Sequence, residues 1–378
     1  MHGPPLADKT WRFAYRFSPS LYNWYVFGNN LYNYRACYAK TQERRVNMLK
    51  FDEQKQIDSV NGALALRPQI EAIVDAICAK GYDRIVYLGI GGTWASALQA
   101  ESHAVELSDL PVYSLNAAEY NTRGDRRITK DSVIVLSSVS GNTAEIVTSM
   151  ERLNALGCTS IGFIDNADAP LAKAVTHCIT YPENEQLKFF MVVDRFMQNA
   201  GQFPQYDEYY AQLDANLAQD LVDVGKASDE FARAFAEKHH DDPIHYFVGG
   251  GVQGGSTYSY AMCYWEEQHW LRTKSIHPAE FFHGMLEIVD RDTNVTVFLA
   301  EDAERPLSER VKAFLPRICA NYTFIDSKDY ALPGISDQYR GYLSHLVTHA
   351  VTNRIDIHIE QINCHPVDIR RYYRQLDY

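Results

Sequence analysis

Apolar and polar positions alternate along this chain on two periods. Residues 133–136 (VIVL) form a continuous apolar run suited to a strand buried on both faces, and Ile146 and Val147 belong to a helical pattern that opens at Ala144. Between them stands the polar turn Ser138-Val139-Ser140-Gly141-Asn142-Thr143. The same succession occurs upstream as a strand over 85–88 (IVYL), the glycine turn Gly89-Ile90-Gly91-Gly92-Thr93-Trp94, and a helix over 95–107. Further strands are predicted over 112–115, 160–164 and 178–181, with a short helix over 170–175 and one long helix over 57–80 that Gly81 ends. Residues 187–240 read as a helical connector and lid, with Leu213, Leu217, Leu221, Phe231 and Phe235 inward. At 244–248 a strand opens again, Gly249-Gly250-Gly251 and Gly254-Gly255-Ser256 follow, and a helix is expected over 258–270. Strands alternating with helices make parallel sheets covered on both faces, so the fold class is α/β, doubly wound, with the layout of the first half returning in the second.

Both strand-to-helix turns can hold an anion, because hydroxyls and backbone N–H groups gather where the helix dipole is positive. The plainer alternative is that Ser138, Ser140 and Thr143 only cap their helix. Gly89, Gly91 and Gly92 do not reproduce a dinucleotide fingerprint, since the third glycine is misplaced and position 94 is Trp. A formal charge of −12 argues against a nucleic-acid surface, so an anionic ligand is held by local donors. No run reaches the length of a membrane span. Seven scattered cysteines without a CxxC pair read as reduced thiols of a cytoplasmic protein, and no metal site or cofactor is expected.

Residues 1–47 differ from the rest: eleven aromatics and seven Lys/Arg against two acids, whereas the remainder carries −17. The expectation is an N-terminal extension with Met48 as the natural start, since AGG-AGG codons for Arg44-Arg45 would act as a ribosome-binding site. The alternative is an aromatic arm on a partner subunit. The expected layout continues with a first domain at 48–200, a helical connector at 201–240, a second domain at 241–360 and a C-terminal tail at 361–378.

The turn at 138–143 resembles the phosphate loop of the sugar isomerase (SIS) family, and the glycine turn and the duplicated half extend the likeness to two tandem SIS domains. The segment Ala279-Glu280-Phe281-Phe282-His283-Gly284-Met285 is similar to the GE-x-x-HGP segment of the isomerase half of glucosamine 6-phosphate synthase and of the fructosamine 6-phosphate deglycases. It departs at Ala279 and Met285, where those families carry Gly and Pro. Their functional glutamate lies sixteen residues before the histidine, which implies Glu267 here. The resemblance implies a phosphate site of Gly91, Gly92, Thr93, Ser138, Ser140 and Thr143, with Glu267 and His283 as the catalytic pair. It also implies a homodimer in which His283 enters the neighbouring subunit's site. The tail from His365-Pro366 to Arg370-Arg371-Tyr372 is similar to that of the deglycases. The synthase's Schiff-base lysine falls at Arg371, which stays protonated and cannot form one.

The function this implies is a deglycase that splits a 6-phosphorylated Amadori ketosamine with water into glucose 6-phosphate and a free amine or amino acid. The alternatives are an aldose–ketose isomerase, an aminotransferase-like isomerase, and a non-catalytic sugar-phosphate sensor. Glu267, its pKa raised by partial burial, is expected to take the C1 proton, and His283 to donate to oxygen. Glu280 and Arg371 are possible further substrate contacts. Either Arg370 or Arg371 can meet an amino-acid carboxylate or simply anchor the tail.

Overall fold

The computed structural model describes residues 48–377, and the expectations for 1–47 lie outside them. Five parallel strands form the first sheet: β1 (Arg84–Gly89), β2 (Val112–Asn116), β3 (Ser132–Ser138), β4 (Thr159–Ile164) and β5 (His177–Ile179). Their order is β2-β1-β3-β4-β5. The second sheet contains β6 (His245–Val248), β7 (Thr273–Ile276), β8 (Asn294–Leu299) and β9 (Tyr322–Asp326), parallel and ordered β7-β6-β8-β9. The order reverses beside β1 in one sheet and beside β6 in the other, and such a switch point opens a crevice at the carboxyl ends of the strands. All seven residues of β3 are buried, as its continuous apolar run predicts, and so are all six of β8, a strand the sequence reading did not name.

Alternate residues serve opposite faces. Ile85, Tyr87, Val133 and Val135 point into a core that also holds Phe247 and Phe298 of the second sheet. Val86, Leu88, Ile134 and Leu136 face a second core on the far side of the first sheet. Val248, Val295, Val297 and Leu299 do the same beyond the second sheet. The shared core makes one body of the two halves.

The expected helix over 57–80 is two helices, α1 (Glu53–Leu64) and α2 (Arg67–Lys80). Pro68 sits in the first turn of α2, where its missing N–H costs nothing, and it could not sit inside a continuous helix. Helix α3 (Gly92–Leu107) starts directly from the glycine turn. After β2 and β3 come α4 (Ala117–Arg123) and α5 (Ala144–Leu156), and α6 (Pro170–Ala174) precedes β5.

The segment read as a lid is core instead. Helix α7 (Glu185–Asn199) buries ten of its fifteen residues. The following helices α8 (Tyr206–Gln212) and α9 (Ala218–His239) are joined by a π turn, and α9 packs on the C-terminal helix. The helix expected over 258–270 begins earlier, as α10 (Val252–Ser259), and ends in a π turn over Tyr260–Glu266. Its glycines hid it, yet they are functional in packing: a Cβ on Gly255 would overlap the Ala95 carbonyl oxygen of α3. Helices α11 (Pro278–Phe281), α12 (Arg305–Phe314) and α13 (Asp337–Asn363) complete the fold, and the tail follows.

Candidate functional site

At the switch point of the first sheet, the turns after β1 and β3 form one wall of a cleft of about 1210 Å³. In the β3 turn the Gly141 N–H donates to Ser138 Oγ at 3.0 Å, and Ser138 Oγ lies 3.4 Å from Thr143 Oγ1. Gly141 has φ 63°, and a Cβ there would collide with Ala169 and Ile164, so both conformation and space require glycine. Thr143 is the N-cap of α5 but its side chain makes no capping bond. Its hydroxyl thus faces the turn, which favours the anion cradle over the simple cap. Gly91, also left-handed at φ 59°, leads into the first turn of α3. Thr93 lines the cleft too, and its Oγ1 donates to Glu185 Oε2 at 3.0 Å.

The opposite wall comes from the π turn and the tail. The π geometry ends α10 so that Cys263, Glu266 and Glu267 all line the cleft. Burial pushes the Cys263 thiol up to about 11, so it stays protonated. Glu267 has a partner: Arg370 Nε donates to its Oε1 at 2.8 Å. The side chain of Glu267 is 35% exposed, so the structure gives it a guanidinium in place of the burial expected of it. Four residues on, Arg374 Nη2 donates to Ser140 Oγ at 3.2 Å. Among the described residues, these two are the cations that line the cleft, and both come from the tail. The sequence reading named Arg371 as a possible substrate contact and left open which of Arg370 and Arg371 meets an amino-acid carboxylate. The structure puts Arg371 over the indole of Trp270, 4.1 Å from its centroid, and only Arg370 in the cleft.

Residues 80–196, which run from the end of α2 through the cradle and most of α7, match the SIS domain family. Over 327 residues the chain is 27% identical to fructosamine deglycase FrlB of Bacillus subtilis, covering 82% of this chain and 97% of that one. It is 24% identical over 311 residues to fructoselysine 6-phosphate deglycase of Escherichia coli, covering 81% and 90%. A crystal structure from Bacillus subtilis, assigned as a phosphosugar isomerase, superposes with a TM-score of 0.77 at 26% identity and covers 84% of this chain and 99% of that chain.

The two α/β layouts differ at their cradles. In the second, Gly251 repeats the geometry of Gly91, with φ 59° in both. There, however, the loop after β8 carries carboxylates where the first layout has hydroxyls. Asp302 Oδ2 accepts from the Val252 N–H at 2.9 Å, and Glu304 Oε2 accepts from the Gly251 N–H at 2.8 Å. The protein's own carboxylates therefore fill the anion position of the second cradle. Burial is the chief reason that the Asp302 carboxyl is pushed up to about 6.

His283 and Glu280 lie outside the cleft. Both are exposed on the loop that includes α11, and the His283 N–H donates to the Glu280 carbonyl at 3.0 Å. The chain thus brings Glu267 to the cradle but does not bring His283 to Glu267. Among the described residues, the group of metal-ligating type is His239, Asp242 and His245. The Nδ1 atoms of both histidines already hydrogen-bond Asp242 Oδ2 at 2.8 Å, and the cluster does not line the cleft. Sequence reasoning missed Glu185 and Arg374. The signal for Arg374 was its spacing from Arg370 in an otherwise acidic chain.

Proposed function

We propose that the protein is a cytoplasmic deglycase that cleaves a 6-phosphorylated ketosamine with water to glucose 6-phosphate and a free amine or amino acid. The carrying observation is that the hydroxyl cradle and Glu267 face each other across one cleft, so an anchored phosphosugar presents its C1 end to a carboxylate. Similarity to deglycases along most of the chain supports the same reading.

Ser138, Ser140, Thr143 and the N–H groups of Gly91, Gly92 and Thr93 hold the phosphate, and Arg374 adds charge. With the sugar open, Glu267 takes a proton from C1 while the C2 oxygen gains one, giving an enaminol across C1 and C2. Return of a proton to C2 leaves an imine between C1 and nitrogen. Water adds at C1, the amine departs, and the aldehyde of glucose 6-phosphate remains. His283 supplies the proton to oxygen from a second subunit, which makes the functional unit a homodimer.

The test is release of glucose 6-phosphate from a synthetic ketosamine 6-phosphate. Glu267→Gln keeps the shape and removes the base, so kcat should fall roughly 10²–10⁴-fold, together with deuterium exchange at C1. Full turnover by Glu267→Gln would transfer the role to another cleft carboxylate, with Glu266 first.

A further inference from the structure

We propose that Arg370 reads the carboxylate of the departing amino acid, and that it thereby selects adducts made through an α-amino group. This rests on the deglycase reading above. The guanidinium is held at two of its three nitrogens: Nε donates to Glu267 at 2.8 Å, and Nη1 donates to the carbonyls of Val367 at 2.5 Å and Ile369 at 3.1 Å. Nη2 has no hydrogen-bond partner among the described residues, and Arg370 lines the cleft. A rigid donor fork is thus fixed with one arm on the base and one arm open.

Geometry then limits what can occupy the open arm. Glu267 must lie about 3–3.5 Å from the reacting C1 carbon, the separation of a near-attack geometry. A group on Arg370 Nη2 must therefore lie close to C1 as well. In an α-linked adduct the carboxylate branches from the carbon next to the C1-bound nitrogen, so it reaches Arg370 while C1 reaches Glu267. In an ε-linked lysine adduct the whole aliphatic stem intervenes, and the carboxylate is carried past Arg370.

Charge points the same way. Glu145 and Glu266 also line the cleft and would repel an unpaired carboxylate, while Arg374 is engaged at the phosphate end with Ser140. The two cleft guanidinia thus match the two anionic ends of an α-linked substrate. A bound carboxylate also shares Arg370 with Glu267, which loosens the hold on the base as it must accept a proton.

Three ketosamine 6-phosphates test this: those of valine, of isobutylamine (valine without its carboxylate), and of lysine linked through its ε-nitrogen. The wild-type kcat/KM should favour the valine adduct over both others by roughly 10- to 100-fold, the worth of one charge-assisted hydrogen bond. Arg370→Ala should bring valine and isobutylamine adducts to within about threefold of each other, and Arg370→Lys should keep part of the preference. Arg374→Ala should lower all three in parallel. Equal wild-type rates for the valine and isobutylamine adducts would overturn the inference. So would a lysine adduct as good as the valine one, or a parallel fall of all three in Arg370→Ala. Failure of all three to turn over would count against the deglycase reading instead. Calorimetric titration with the same compounds would then decide, with equal affinities overturning the role of Arg370.

Discussion

His345 sits in the core with its ring stacked on Phe190 at 4.3 Å, and neither ring nitrogen has a hydrogen-bond partner among the described residues. Burial, aided by His103 and His349, pulls its pKa down to about 3. His245, also buried, is pulled down to about 4. A histidine whose folded pKa lies below its unfolded value of about 6.5 stabilises fully above that value, and the contribution is lost as pH falls through it toward the folded pKa. Each such group steepens the acid loss of stability by up to about 1.4 kcal/mol per pH unit. His345→Leu, close in volume, should change neutral stability by less than about 1.5 kcal/mol and flatten the decline below pH 6.5. Urea midpoints measured from pH 7 to 4.5 check this. Curves that run parallel for the two proteins would contradict it. At this scale the sequence was partly legible: it named Glu267 and the cradle hydroxyls, but adjacent Arg370 and Arg371 differ only in where the tail backbone points them.

At the scale of elements, α3 and α10 cross as the matched first helices of the two layouts. Trp94 meets Tyr258 edge-on at 5.3 Å, and Gln99 Nε2 donates to Ser256 Oγ at 2.9 Å. Gly255 makes this approach possible, whereas a Cβ on Gly254 would meet nothing nearer than 3.9 Å. Gly255→Ala should therefore cost about 1–3 kcal/mol through overpacking, and Gly254→Ala should instead gain about 0.5–1 kcal/mol through helix propensity. Thermal unfolding of both variants checks the opposite signs, and equal shifts would show that the crossing is not tight. Strands β1 to β6 were plain in the sequence as apolar runs, whereas β7, β8 and β9 were not predicted. The start of α10 was hidden, because glycines that weaken an isolated helix are stabilising where a neighbouring helix needs the space.

For the whole molecule, the separation of His283 from Glu267 within one chain carries the prediction. If His283 works in the neighbouring site, Glu267→Gln and His283→Ala subunits, each nearly inactive alone, should complement each other when mixed and reassembled. Random pairing makes half of the dimers mixed, each with one intact site, so activity should return to about a quarter of wild type. Sedimentation should give a dimer throughout. A mixture no more active than its components would place acid and base in the same subunit.

The sequence by itself determined the two α/β layouts and the hydroxyl-rich turn at 138–143, while Glu267 was singled out only by its spacing in a family the chain resembles. The layouts and the turn are written in local pattern: apolar runs, glycines where φ is positive, and hydroxyls at a helix start. Tertiary structure alone decided which cradle is open and what faces Glu267. Asp302 and Glu304 stand 50 and 53 residues beyond the N–H groups they bind, and Arg370 stands 103 residues beyond Glu267. Contacts over such separations depend on where strand order and helix crossing bring the backbone, and no local period records them.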